Sequence, residues 1–351
     1  MSRNQGEETG RRIRRLQADV RELQSRVRLT RVLDAIEDVG TQVSSLRQRV
    51  GDLRARGYVF ERTLEDRAAN LEQHWPPLRQ QVRRRLEQET ALLRSDLVTV
   101  EGLSQEVETQ AMQSAGIEPL LHQAERAVEA VQDKARAAAD SIAGMYDEFA
   151  AQVRDLAQHL AHVEWTLSQV SEATFNLLPV EGVIAAVRAT WSRESEDSPQ
   201  GVLFLTDQRL LFEQKQDIAT KKILFITTEK ERVQQLRLDT PLSYVDTVLA
   251  SRKGILGHED HLDIAFCAQA EHRHAHFHID GQRSEVWQEM VGRAQAGDYD
   301  RDRAVAINEH VAERARAAPT RCPVCNAPIT QAVLRGMDRI TCEYCGHIIR
   351  L

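Results

Sequence analysis

Gly201-Val-Leu-Phe-Leu-Thr-Asp-Gln-Arg-Leu-Leu-Phe212 decides how the middle of this chain is read. An apolar run, Val202 to Leu205, meets the polar residues Thr206-Asp207 and is answered by a second run from Arg209 to Glu213. Runs this short, β-rich and separated by turn residues read as two antiparallel strands joined by a tight turn.

The same grammar extends outward from this hairpin. Candidate strands cover 182–191, 201–206, 209–213, 223–228, 233–238, 245–249, 261–267 and 272–279, followed by an amphipathic helix from Ser284 to Ala296. An all-antiparallel meander closed by one helix is the economical arrangement. Gly201–Phe212, Pro241-Leu-Ser-Tyr-Val245 and Ser284-Glu-Val-Trp287 resemble the GRAM and pleckstrin-homology-like superfold in its hairpin, its proline-led strand and the tryptophan of its closing helix. The resemblance runs from Leu178 to Gln295 and implies an antiparallel β-barrel that recognises protein or lipid. Pleckstrin-type domains that bind phosphoinositides use basic residues between the first two strands. Here that loop, Ser192-Arg-Glu-Ser-Glu-Asp-Ser-Pro199, is acidic, which favours a protein ligand and leaves Lys215, Lys221, Lys222, Arg252 and Lys253 as a scattered alternative for a headgroup.

Before the β-segment lies a different pattern. Residues 1–10 are polar and read as disordered; from 11 to 176 apolar residues recur at helical heptad spacing, which predicts a long coiled-coil bundle. The clearest register is Leu121, Ala124, Val128, Val131, Ala135, Ala138, Ile142, Met145 and Phe149, and an earlier one is Ile36, Val39, Val43, Leu46, Val50 and Leu53. Breaks at Gly57 and at Gly116–Pro119, with a kink at Pro76-Pro77, predict three long helices. Such narrow apolar seams need another helix, within the chain or in a homo-oligomer. The opening helix is basic, with Arg11, Arg12, Arg14 and Arg15 leading it. Its arginines would pair with acidic residues of a neighbouring helix; contact with an anionic membrane is the rival, and nucleic acid the less favoured third.

After a charged linker, 297–320, comes the segment 321–351 with Cys322-Pro-Val-Cys325 and Cys342-Glu-Tyr-Cys345. Two C-x2-C pairs separated by sixteen residues fit a tetrahedral zinc site, here a ribbon with one structural zinc ion. Asn326 and Gly346 each follow a second cysteine, where a left-handed backbone is needed. Four thiolates leave no open coordination position, so the metal reads as structural. The fifth cysteine, Cys267, falls in a predicted strand as an inert thiol.

His272, His274, His276 and His278 alternate along one candidate strand and share a face, opposite Ala275, Phe277 and Ile279. That face is either solvated or a second metal or pH-sensing surface. No phosphate-cradling glycine loop, nucleophile elbow or metalloprotease motif occurs, so the chain is expected not to be an enzyme. With 351 residues, a net charge of −7 and 5% aromatics, it reads as multidomain, cytoplasmic and possessed of no whole-surface affinity for polyanions. The expected function is a scaffold or adaptor binding protein partners, with peripheral membrane association as the rival. With few residues to build a core, the segment 319–351 alone should be disordered without zinc. An NMR spectrum recorded with and without chelator checks this, dispersed resonances appearing only with the metal.

Overall fold

The computed structural model describes residues 3–112, 116–192, 198–223, 226–254 and 258–351, with the side chains of 3–6 and 217–231 outside that description. They form two compact units, one of residues 1–48 and 66–158, the other of residues 49–65 and 159–351.

Five helices fill the N-terminal part: α1 (Arg3–Arg26), α2 (Thr30–Ala55), α3 (Leu64–Met112), α4 (Glu118–Gly144) and α5 (Asp147–Ser171). Two breaks depart from the expected three helices. Leu29 takes a left-handed φ of 49° and is buried there, so tertiary burial overrides a locally helical sequence. Helices α4 and α5 part after Gly144, where Asp147 and Glu148 begin a new first turn in which acidic residues are favoured. That break shifts the seam by one residue: Tyr146 and Ala150 are buried in place of the expected Met145 and Phe149. The remaining seam positions of both registers are buried within the single chain. Helix α3 continues through Pro76-Pro77, with Trp75 stacked on Phe149 at 5.3 Å between ring centroids. The expected disorder of 1–10 is corrected from Arg3 onward, because α1 begins there and Thr9 donates to Glu118 at 3.1 Å; Met1 and Ser2 lie outside the described residues.

In the second unit seven antiparallel strands form one sheet in the order β4-β3-β2-β1-β7-β6-β5. They are β1 (Val183–Ser192), β2 (Gln200–Thr206), β3 (Arg209–Ile223), β4 (Ile226–Pro241), β5 (Val245–Lys253), β6 (Glu259–Phe266) and β7 (His274–Asp280). The deciding hairpin is β2–β3, registered Leu203↔Phe212 and Leu205↔Leu210. Gly201 is required in it, since a Cβ there would lie 1.9 Å from the Glu213 carbonyl oxygen. The expected strand 209–213 extends to Ile223 as β3, and 233–238 belongs to β4; the expected 223–228 divides between the two, with 224–225 outside the described residues, and β3 and β4 pair from Arg209↔Pro241 out to Ile223↔Ile226. Lys, Glu, Gln and Thr dominate that extension, with too few apolar residues to mark its full length.

One face of the sheet buries Trp191, Phe212 and Phe277, whose rings lie 5.2 to 5.7 Å apart. The other face of β1 to β3, with Ala186, Val202, Phe204 and Leu211, meets Trp165 and Val170 from the end of α5. Strand β1 is therefore buried on both faces over Val183–Val187, which explains its continuous apolar run. Helix α6 (Ser284–Gln295) closes the sheet. Asp260 accepts from both the backbone N–H and the hydroxyl of Ser284, fixing the start of α6. Trp287 is fully buried, and its Nε1–H donates to Gln282, which in turn donates to the Ala186 carbonyl.

The charged linker is structured and in part helical. It carries α7 (Asp298–Arg301) and α8 (Glu309–Arg316), with Tyr299 buried and the Arg303 side chain only 4% exposed. Arg303 bridges to Phe60 in an antiparallel pairing and stacks its guanidinium 5.0 Å over that ring. Trp287→Ala should destabilise this unit by about 3–5 kcal/mol through the lost burial and residual cavity. Urea unfolding followed by far-UV circular dichroism measures it.

Candidate metal centre

The four expected cysteines converge. Their sulfurs all lie within 4.8 Å of one another, with Cys322–Cys345 at 3.7 Å and Cys325–Cys342 at 3.6 Å. Metal–sulfur bonds of about 2.3 Å in a tetrahedron place sulfurs about 3.8 Å apart, close to these two spacings, so this set could hold a metal ion.

The backbone builds this geometry twice. In the first knuckle Asn326 N–H donates to the Cys322 carbonyl and Cys322 N–H to that of Ala327, each at 2.9 Å; in the second Gly346 donates to Cys342 and Cys342 to His347, again at 2.9 Å. Asn326 and Gly346 take φ of 59° and 72°, the conformation their positions demanded. Strands β8 (Arg339–Thr341) and β9 (Ile348–Arg350) pair Ile340 with Ile349 and bury both beside Cys322 and Cys342. The Cys322 thiol is pulled down to about 6, first by the Cys325 backbone N–H. Although the His347 N–H draws Cys345 the other way, its neighbouring sulfurs push it up to about 12. Negative charge on one sulfur thus opposes ionisation of another, and a cation removes the conflict.

This module is fixed to the β-sheet through the β2–β3 turn. Asp207, with 2% of its side chain exposed, accepts from Gly182 N–H at 2.9 Å, from Arg335 at 2.8 Å and from Arg303. Arg335 also reaches Asp300 at 2.5 Å. Burial pushes the Asp207 carboxyl up, against the opposing pull of the Gly182 N–H and of both guanidiniums. Gln208 brackets the Arg335 backbone, donating to its carbonyl at 3.0 Å and accepting its N–H at 2.6 Å. Tyr244 does the same further along, donating to Thr330 and accepting from Ala332. Gly336, at φ 91°, lies so close that a Cβ would sit 2.2 Å from the Pro179 carbonyl oxygen. The anchors Asp207 and Gln208 were missed from sequence, where they read only as turn residues.

The other candidates separate. His272 meets the Trp191 ring edge at 5.0 Å, and His274 is exposed. His276 and His278 join His261 of β6, a residue overlooked because it lies on the neighbouring strand. Arg11, Arg14 and Arg15 are exposed, whereas Arg12 pairs with Glu118 at 2.8 Å and Glu125 at 2.6 Å. Of the scattered cations, Lys215 pairs with Glu172, Arg252 with Glu285 at 3.2 Å, and Lys253 approaches Asp263 at 4.0 Å. The side chains of Lys221 and Lys222, and residues 193–197 of the acidic loop, lie outside the described residues. Among the described residues no helix is long and apolar enough to cross a membrane.

No protein-family model matches the sequence, and no curated protein matches it. Solved structures do. The Vps36 N-terminal PH domain is 16% identical, over 35% of this chain and 85% of that one, at a TM-score of 0.24. The DH/PH fragment of PDZRHOGEF in complex with human RhoA is 12% identical, over 80% and 93%, at 0.26. The C-terminal domain of an unknown protein from Leishmania infantum is 12% identical, over 33% and 85%, at 0.20. The assignment of the β-segment rests on its strand order and closing helix. Asp207→Ala should cost about 3–5 kcal/mol, because it removes the carboxylate that Arg303 and Arg335 share and leaves Asp300 alone between two guanidiniums. Limited proteolysis should then cleave between 304 and 320 faster, while the metal content of the chain stays unchanged.

Proposed function

We propose that the protein is a non-catalytic, zinc-binding scaffold or adaptor that recognises a protein partner through its pleckstrin-like sheet and its ribbon. One observation carries this reading. The two knuckles around the thiolates hold Val324 and Tyr344 outward, each 65% exposed, with Ile348 54% exposed beside them. Large apolar side chains held outward on metal-ordered turns are the composition of a protein-contact surface, where aromatic and aliphatic anchors supply most of the binding energy. Zinc is the ion that four thiolates in a tetrahedron favour, and with no open position it acts as a folding element rather than a Lewis acid. The pairing of Lys215 and Arg252 with acidic residues supports a protein ligand over an anionic headgroup. Burial of the helical seams inside the chain supports a heterologous partner over coiled-coil self-association.

A second reading, peripheral membrane contact, is favoured by the exposed Arg11, Arg14 and Arg15 of α1. Capture of partners by the zinc-loaded chain, with Val324→Asp/Tyr344→Asp and the chelator-stripped chain alongside, tests both. A partner held by the wild type and weakened at least about tenfold in both altered forms is expected. Equal retention by all three overturns the ribbon's role. Pelleting with anionic vesicles at low salt, abolished by Arg11→Glu/Arg14→Glu/Arg15→Glu, would move the reading to the membrane.

A further inference from the structure

The outer face of β6 and β7 carries an arrangement that neither the thiolate centre nor the knuckle surface uses. In the β6–β7 ladder His261 stands opposite His278 and Asp263 opposite His276, so three imidazoles from two antiparallel strands share one patch. The His261 ring lies 5.0 Å from each of the other two, nearly parallel to both. His276 Nδ1 donates to Asp263, which leaves its Nε2 as a lone pair, and that lone pair faces His261 Nδ1 at 3.0 Å. His261 Nδ1 must therefore carry the proton, and its Nε2 carries none. That Nε2 is buried with no hydrogen-bond partner, in a residue only 8% exposed. It nevertheless sits 3.5 Å from a carboxylate oxygen of Glu259, a neighbour suited to an N–H and wasted on a lone pair.

A cation resolves this mismatch. If an ion takes the His276 Nε2 and His261 Nδ1 lone pairs, the His261 proton moves to Nε2 and points at Glu259. His278 repeats the pattern, with Nε2 3.8 Å from Asp280 and Nδ1 left over. His261 and His276 then each offer one nitrogen to an ion and the other to a carboxylate, the pairing that orients histidine ligands and raises their basicity. Two nitrogens on a tetrahedral ion stand about 3.3 Å apart at bond lengths of about 2.0–2.1 Å, close to the spacing already present. Burial holds the His261 imidazole below its ordinary range. The His278 ring now stacks on His261, and rotation of its side chain completes the set.

We propose that His261, His276 and His278 bind a second divalent transition-metal ion on this face, with Glu259 and Asp263 orienting the first two. An open groove of about 680 Å³, lined by Ser192, Leu249 and His274 among others, touches the patch at Asp263 and His276. Three imidazoles leave a fourth coordination position free toward that groove. The ion is of the imidazole-preferring class, zinc, nickel or copper, rather than calcium or magnesium.

Cobalt(II) titration of the full chain separates the two centres, because thiolate–cobalt charge-transfer absorption reports the ribbon alone. After that signal saturates, the wild type should bind one further cobalt per chain. His261→Ala and His278→Gln should each lose the further ion while keeping the charge-transfer band and the native circular dichroism. Asp263→Asn should weaken it about 10–100-fold. His274→Ala, an exposed neighbour, should bind as the wild type does. No uptake beyond the charge-transfer end point, or uptake unchanged in His261→Ala, overturns the proposal. An absent charge-transfer band with the further ion still bound would instead count against the thiolate centre and leave this site standing.

Discussion

A single buried carboxylate, Asp207, holds three otherwise separate pieces of sequence in one place. It closes the β2–β3 turn by accepting the Gly182 N–H, draws in Arg303 from the linker, and takes Arg335 from the ribbon. A charge so far from water is tolerable only with partners, and here two guanidiniums and a backbone donor supply them. The same turn places Thr206, which accepts from Gln208 and Arg209 N–H groups, and Arg209, which forks onto the fully buried Glu181 and reaches Asp239. Each residue of Thr206-Asp207-Gln208-Arg209 is thus committed to a specific bond. A turn that looked like a connection between strands is the junction of the unit.

That junction alters what the thiolate module is. A ribbon on a flexible tether would present its knuckles in many orientations, and a partner would meet the entropic cost of fixing them. Bracketed by Gln208 and Tyr244 and seated against Pro179, this ribbon is oriented before any partner arrives. Its small core of Ile340 and Ile349 beside Cys322 and Cys342 does not hold the fold alone. A metal held by the four thiolates would supply internal order while the Asp207–Arg335 pair supplies external placement, two constraints that act on different degrees of freedom.

How much of this was legible depended on whether the signal was local. The Gly201–Phe212 hairpin and the cysteine knuckles are local, with strand alternation and left-handed positions fixed by adjacent residues. Both were read correctly. The helix break at Leu29 was not, because nothing in Val27-Arg28-Leu29 disfavours a helix and only tertiary burial selects the turn. The break at Tyr146 left a trace in Gly144 and Asp147-Glu148, outweighed by an unbroken heptad count. The linker reads only as charged, yet Asp300 and Arg303 find partners more than thirty residues away in sequence. Charge density alone cannot distinguish a tether from an ion-paired seam.

The histidine patch shows the same limit more sharply. Alternation along β7 correctly placed Ala275, Phe277 and Ile279 inside, and so placed the intervening histidines outside. Chemistry, however, is set across strands as much as along them. The register that puts His261 opposite His278 and Asp263 opposite His276 removes His272 and His274 from the set and adds a ligand from β6. Strand pairing, not strand pattern, decides which side chains can act together. Two metal-competent donor sets then arise from two different devices: tight turns that fold four sulfurs onto one point, and a ladder that aligns imidazoles with carboxylates.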